Sequence, residues 1–250
     1  MKKIFFENLK TLIYALLIAI IIRSFLFQPF YIPSSSMLPN LLVGDRLFVS
    51  KYTYGYTRHS LPFSPKIYSK KILESDPIRG DVIVFKTNYK NDDIFFIKAI
   101  CNLFGSCKTD YIKRLIGLPG EKIQFRDGNL FINNFKVTKT KIKESKNLGL
   151  YLEKLPNGIT YTVLYDDMNK QWHNSDIYEI PNNHYFFLGD NRDNSRDSRY
   201  LMGPGYVHKN DLVGKANVIF FSNDRSKGNF LQFWKWNKSI RYKRFLKRIE

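Results

Sequence analysis

Cysteine is scarce in this chain of 250 residues, with only Cys101 and Cys107 present. That excludes a disulfide-rich scaffold and a four-cysteine zinc site. Histidine is nearly as rare: His59, His173, His184 and His208 are the full set, which leaves a Ser-His-Asp triad few candidates. His184 starts a strand-like run close in sequence to Asp190 and is the best placed of the four, although an ordinary half-exposed histidine explains it equally well. Acidic residues are also in deficit, 22 against 40 Lys+Arg, for a net charge of +18. Apolar material is not lacking. With 44% hydrophobic and 16% aromatic residues the chain has enough for a packed core, and wholesale disorder is excluded.

A surplus of positive charge points first to nucleic acid or an anionic membrane. Its distribution argues against nucleic acid. Residues 1–28 hold Lys2, Lys3, Lys10, Arg23 and Glu7, a net +3, and residues 225–250 hold nine bases and Glu250, a net +8. The intervening body is only mildly basic, and it shows neither zinc-finger spacing nor an aromatic RNA-binding box. The tail 235–250, KWNKSIRYKRFLKRIE, mixes aromatics with bases and reads either as a membrane-surface segment or as a solvated basic end.

Long apolar runs are absent except at the amino end, where Thr11–Ile22 carries no charge and SFLF follows Arg23. A helix from Glu7 to Phe27 would span about 30 Å, enough to cross a bilayer, and Pro29 disfavours helix at Gln28. Lys2, Lys3 and Lys10 place the short end in the cytoplasm, and everything past residue 29 outside it. A cleaved signal peptide would need a small-x-small site, whereas FQPFYIP is bulky. A buried core helix would need a polar face, which Ala15–Ile22 lacks. The expectation is a retained single-pass anchor in the cell (inner) membrane over residues 1–28 and an extracytoplasmic body over 29–250.

Past the anchor the pattern changes to short β-rich runs: 45–55, 81–86, 122–125, 129–137, 184–189 and 216–221 read as strands. Asp127-Gly128 marks a hairpin. Residues 63–80, 87–109 and 138–180 read as insertions, the first and last polar and irregular. The fold class is mostly β, in antiparallel sheets or a partly open barrel. In an oxidising compartment Cys101 and Cys107 can close a small disulfide loop; the alternative is two independent buried thiols.

Three segments concentrate reactive groups: IPSSSMLP (32–39), DYIKRLIGLPG (110–120) and GDNRDNSRDSR (189–199). Taken singly, each has a plain explanation as a loop, a solvated lysine or a charged turn. The last lacks the Gly and Glu spacing of a calcium loop, so no metal is expected. Taken together with Gly44-Asp45, RGDVIVF (79–85) and LVGKA (212–216), they resemble the bacterial type I signal peptidases (leader peptidases), membrane-anchored Ser-Lys serine endopeptidases. The motifs run in the family's order from residue 20 to about 221.

The resemblance implies Ser36 as nucleophile and Lys113 as general base. It places Ser34 with the Ser36 N–H in the oxyanion hole, and Ser195 as the hydroxyl that orients the amine. Arg114, Asp190, Asp197 and Arg199 take supporting ionic positions, and Phe30, Ile32, Leu41, Tyr111 and Ile112 form the apolar wall for substrate. It further implies signal peptides of exported preproteins as substrates, cut after small residues, with no cofactor and with export machinery as a further potential partner. Ser35 stands where many relatives have Gly and adds a third hydroxyl. There is one amino-terminal span where some relatives have two, and RYLMGPGYV (199–207) is longer than the corresponding turn in some.

The chemistry agrees with those roles. A serine hydroxyl needs an adjacent base, and a lysine with the ordinary pKa of about 10.4 is neutral only about once in 2,500 molecules at pH 7. Burial among apolar neighbours lowers that pKa. Ser36 follows the anchor's exit by about eight residues, hence within about 30 Å of the bilayer. Two other readings stand beside this one: a relative dedicated to a single secretion substrate, and a tethered β-domain that binds without catalysis.

Overall fold

The computed structural model describes residues 2–57, 60, 71–88, 108–145, 148–166, 171–200, 203–228 and 231–250. Cys101, Cys107 and His59, with residues 63–70 and 89–107 of two expected insertions, lie outside the described residues. Helix α1 (Lys2–Ile21) passes into a π-helical turn, Ile22–Leu26. Together these give a 23-residue apolar stretch, Ile4–Leu26, long enough to cross a membrane. The helix ends slightly earlier than Pro29 alone requires. Phe27 already has extended backbone, and Pro29 sits within strand β1 (Phe27–Tyr31). β1 is an edge strand paired only with β2 (Asp45–Ser50), a position where a missing N–H is tolerated.

The main sheet is antiparallel, in the order β1-β2-β14-β3-β4-β12-β13, with β3 at Val82–Asn88, β4 at Lys108–Gly117, β12 at His184–Leu188, β13 at Val207–His208 and β14 at Leu212–Ser222. It is buried on both faces near its centre. Val82 and Val84 of β3 join Met37, Leu41, Leu47 and Val49 in one cluster, while Ile83 and Phe85 join Tyr54, Leu115 and Phe187 in another. That is the alternation of a strand with apolar contacts on either side. β12 does the same. Tyr185 and Phe187 pack on the second cluster, and Phe186 and Leu188 pack on a third that includes Ile123, Phe125, Val163 and Tyr165.

Two smaller antiparallel sheets complete the body. β11 (Tyr178–Glu179), β5 (Lys122–Arg126), β6 (Asn129–Ile132) and β7 (Phe135–Lys136) form one, and β10 (Thr160–Asp166), β9 (Leu148–Lys154) and β8 (Thr138–Ser145) form the other. The sheets stay open; no barrel closes among the described residues.

Several expectations change. The run 45–55 is strand only to Ser50, after which Tyr52–Tyr54 forms a 3-10 turn ended by Gly55 at φ 84°. The run 129–137 is two strands rather than one, because Asn133 and Asn134 take φ of 51° and 67° and reverse the chain. Asn tolerates that region better than most residues. Asp127-Gly128 makes the expected hairpin, pairing Arg126 with Asn129. The described part of 138–166 is not irregular but largely strand. β10 buries Tyr161, Val163 and Tyr165 on one face, a period-two pattern obscured in the sequence by the lysines of exposed β8.

The basic tail is neither free nor merely solvated. It folds back through 3-10 turns (Phe233–Lys235, Tyr242–Arg244) and a short helix α2 (Trp236–Ser239) to β15 (Lys247–Arg248), which pairs with β14. Arg244 is its anchor. It donates to both carboxylate oxygens of fully buried Asp45, at 3.0 and 2.5 Å, and to Asn40 O at 2.9 Å. Removing one partner of a buried pair leaves the other charge uncompensated. Arg244→Ala is therefore expected to lower the urea midpoint by the equivalent of about 3 kcal/mol, with the slope unchanged. Stability within about 0.5 kcal/mol of wild type would show that the tail is not an integral part of the body.

Candidate active site

Ser36 lies in the turn between β1 and β2. Met37 and Leu41, at 1% and 0% exposure, lock the next turn into the core, and Leu41 N–H donates to Met37 O at 2.9 Å. With those two side chains turned inward, Ser36 is presented on the opposite side. The Asn191 N–H donates to Ser36 O and the Asn191 side chain to Ser35 O, both at 3.1 Å, so the turn is held from both sides.

Lys113 comes from β4, between β3 and β12. Its Nζ donates to Ser36 Oγ at 2.7 Å and to Ile112 O at 3.0 Å. The residue is 4% exposed. Burial lowers its pKa from 10.5 to about 8, against the opposing pull of Asp197 and Asp190. Roughly a tenth of the amine is then neutral at pH 7. The three adjacent hydroxyls are thereby distinguished: the amine meets Ser36, Ser34 Oγ stands 3.3 Å from Ser36 Oγ, and Ser35 faces solvent.

The two carboxylates near the amine are each committed to an arginine. Asp190 takes both forks of Arg114 at 2.8 Å, with both side chains at zero exposure. Arg114 also donates to Gly80 O at 2.7 Å and lies 4.1 Å over the Tyr161 ring. Asp197 accepts from Arg199 at 2.9 Å twice and from Gly189 N–H at 2.9 Å. Burial opposes its ionisation, but the Arg199 guanidinium and the Gly189 N–H prevail and hold its carboxyl below the usual range.

Ser195 is brought to the same place, yet no hydrogen bond joins its Oγ to Lys113 Nζ; the amine's second acceptor is Ile112 O. Ser195 Oγ is buried without a hydrogen-bond partner among the described residues. A Cβ on Gly189 would stand 2.2 Å from Ser195 Oγ and 2.5 Å from Ser36 O, so only glycine allows this approach.

Ser36 and Lys113 open onto a cavity of about 450 Å³ lined by Phe30, Ile32, Tyr111 and Ile112, all four expected there. Leu41 does not line it. It is wholly buried beneath the turn with Met37, because it sits four residues on, where the chain has turned into the core. Val84, Thr109, Asp110, Asn194 and Arg196 also line the cavity and were given no role in the sequence reading; all but Thr109 lay within quoted motifs, and Asp110 and Arg196 stand directly beside positions that were singled out. A buried network escaped it too. Arg192 donates to Gly189 O and to Glu153, which also accepts from Tyr161 and Tyr165. Arg192 lay within a quoted motif, whereas Glu153 is a lone acid in a stretch read as irregular. His184 lies away from the cavity, bonded to Asn182 O at 2.9 Å and set edge-on to His208.

Comparison with known proteins gives the family. The family model for "Signal peptidase, peptidase S26" matches residues 5–221. The chain belongs to that family. Relatives named signal peptidase I include one from Rickettsia canadensis (strain McKiel), 34% identical over 97% of this chain and 93% of that protein. Another, from Rickettsia conorii (strain ATCC VR-613 / Malish 7), is 35% identical over 94% and 90%. A crystal structure of a signal peptidase I from Enterococcus faecalis V583 is 26% identical, covering 56% of this chain and 97% of that one, with a TM-score of 0.30. Membership of the signal peptidase family makes this chain a peptidase.

Keeping an amine buried at a pKa of about 8 has a cost to folding. Below pH 8 the unfolded chain binds a proton that the folded chain holds less tightly, a penalty on the order of 3 kcal/mol that fades as pH rises from 8 to 10.5. Lys113→Met is expected to raise the unfolding free energy at pH 7 by about 1–3 kcal/mol, with the gain shrinking towards pH 10. Denaturant titrations at both pH values check this, and a variant less stable than wild type at pH 7 contradicts it.

Proposed function

We propose that this peptidase is a membrane-anchored Ser-Lys endopeptidase that removes amino-terminal signal peptides from exported preproteins. The observation that carries the reading is the 2.7 Å contact between Lys113 Nζ, buried and of lowered pKa, and Ser36 Oγ. A neutral amine at that distance accepts the serine proton as Oγ attacks the scissile carbonyl. The Ser36 N–H and the Ser34 hydroxyl receive the developing oxyanion. The ammonium then protonates the departing amide nitrogen, which releases the mature chain and leaves an acyl group on Ser36. The amine, neutral again, takes a proton from water as the hydroxide attacks the ester, then returns that proton to Ser36 Oγ as the acyl bond breaks and the signal peptide is freed. Ser195, buried with an unused hydroxyl beside Gly189, orients the amine when substrate is seated. Arg114, Asp190, Asp197 and Arg199 hold the surrounding frame.

Phe30, Ile32, Tyr111 and Ile112 make an apolar bed for the small residues before the cut. α1 crosses the inner membrane with its lysine-rich start in the cytoplasm, and the body works on the other side. Ser36 follows Phe27 by nine residues, so a chain emerging from the same bilayer passes within about 30 Å of it.

Cleavage of a preprotein bearing an Ala-x-Ala site is expected to vanish in Ser36→Ala and in Lys113→Ala, and to fall about 10²–10³-fold in Ser34→Ala. His184→Ala should cleave like wild type; were that the fatal change, the dyad would be the wrong mechanism. Because only the neutral amine is active, kcat/KM is expected to rise with pH through about 8. A profile falling across that range would contradict Lys113 as base.

A further inference from the structure

The cavity at Ser36 has an uneven distribution of charge. Three acidic or basic side chains line it among the described residues: Asp110, Lys113 and Arg196. Asp110 sits three residues before Lys113 on β4, about 10 Å along the strand, and Lys86 neutralises it at 3.0 Å. Arg196 follows Ser195, whose hydroxyl packs against Gly189 beside Ser36 O. Arg196 is thus next in sequence to a residue that packs beside the Ser36 backbone, whereas the compensated anion lies three residues along β4 from Lys113.

Arg196 differs from the other arginines of its loop. Arg192 and Arg199 are fully or almost fully buried and held by carboxylates, at 0% and 3% exposure. Arg196 is exposed, and no ion pair or hydrogen bond engages its guanidinium among the described residues. One contact orders it, the face of Tyr200 at 5.6 Å; Tyr200 is in turn set edge-on to Trp172 at 6.0 Å. A guanidinium resting on an aromatic shelf keeps its planar fork of donors free for an acceptor while losing less side-chain entropy on engagement.

We propose that Arg196 is a specificity-determining residue, which favours preproteins carrying an acidic side chain just after the scissile bond. This deepens the peptidase reading and rests on it. The residues before the bond occupy the apolar bed on β1 and β4, so the chain that leaves past Ser36 runs along the 189–199 loop, where Arg196 waits. A carboxylate there meets an uncompensated cation, whereas a lysine is repelled by it. An arginine engaged by a carboxylate of its own, as Arg192 and Arg199 are, would not discriminate in this way.

The test uses full-length protein in detergent and peptides that share one Ala-x-Ala site, with Glu or Lys walked through the first three positions after the bond. At one or more of these positions wild type is expected to show a Glu-over-Lys ratio in kcat/KM of about fivefold at low salt, collapsing by about 0.5 M salt. The ratio should approach unity in Arg196→Gln and invert in Arg196→Glu. Equal rates at all three positions in wild type, or a ratio unmoved by both substitutions, overturns the assignment while leaving the peptidase reading intact. Failure of wild type to cleave any of the peptides overturns both.

Discussion

The buried pair of Arg114 and Asp190 is the constraint around which the site is built. Two charges taken wholly out of water hold only if their geometry is nearly ideal and their remaining hydrogen-bonding capacity is filled. Both conditions are met. The guanidinium is matched fork to fork, its free nitrogen is taken by Gly80 O, and Asp190 has a third partner in Asn40 Nδ2 at 2.7 Å. Arg114 is next to Lys113, Asp190 opens the charged loop, and Asn40 closes the serine turn. One ionic centre therefore fixes the relative position of the three segments that supply the reactive groups.

The same loop solves an electrostatic problem. A lysine intended as a base should not face an uncompensated carboxylate, since that would stabilise its ammonium. Two buried carboxylates lie close enough to pull on Lys113, but Asp190 is bound to Arg114 and Asp197 to Arg199. Desolvation therefore outweighs the remaining attraction. The arginines act on the amine indirectly, by drawing off negative charge it would otherwise use. The β9–β10 hairpin backs this arrangement: Glu153 holds Arg192, and Asp190 O accepts from the Leu164 N–H at 2.9 Å.

How much of this was legible in the sequence depended on the kind of signal. Ser36 and Lys113 could be singled out as candidates because they lie in dense motifs that resemble a family's, although nothing in the spacing alone places residues 77 apart within 2.7 Å. Strands with apolar runs, such as β3 and β12, were visible because both faces are buried. β8 was hidden because its lysines are compatible with an exposed strand and with a loop alike. Asn133-Asn134 was missed as a turn for want of glycine. Leu41 matched a family wall position, but whether a leucine faces substrate or core depends on the path of the chain through the serine turn. The tail read as a membrane-surface segment or a solvated end because the partner of Arg244, Asp45, lies 199 positions away.

The join between helix and body has a mechanical consequence. The π-helical turn ends at Leu26 and β1 begins at Phe27 with no intervening residues. Tyr56 donates to Phe25 O at 3.0 Å and Lys51 N–H to Leu26 O at 3.1 Å, so the exit is clamped to the body rather than hinged on it. A helix that tilts or slides to suit a thicker or thinner bilayer carries the edge strand and the serine turn with it. On the function proposed above, the helix serves as a depth gauge, and the height at which a passing chain is cut becomes a property of the lipid as much as of the protein.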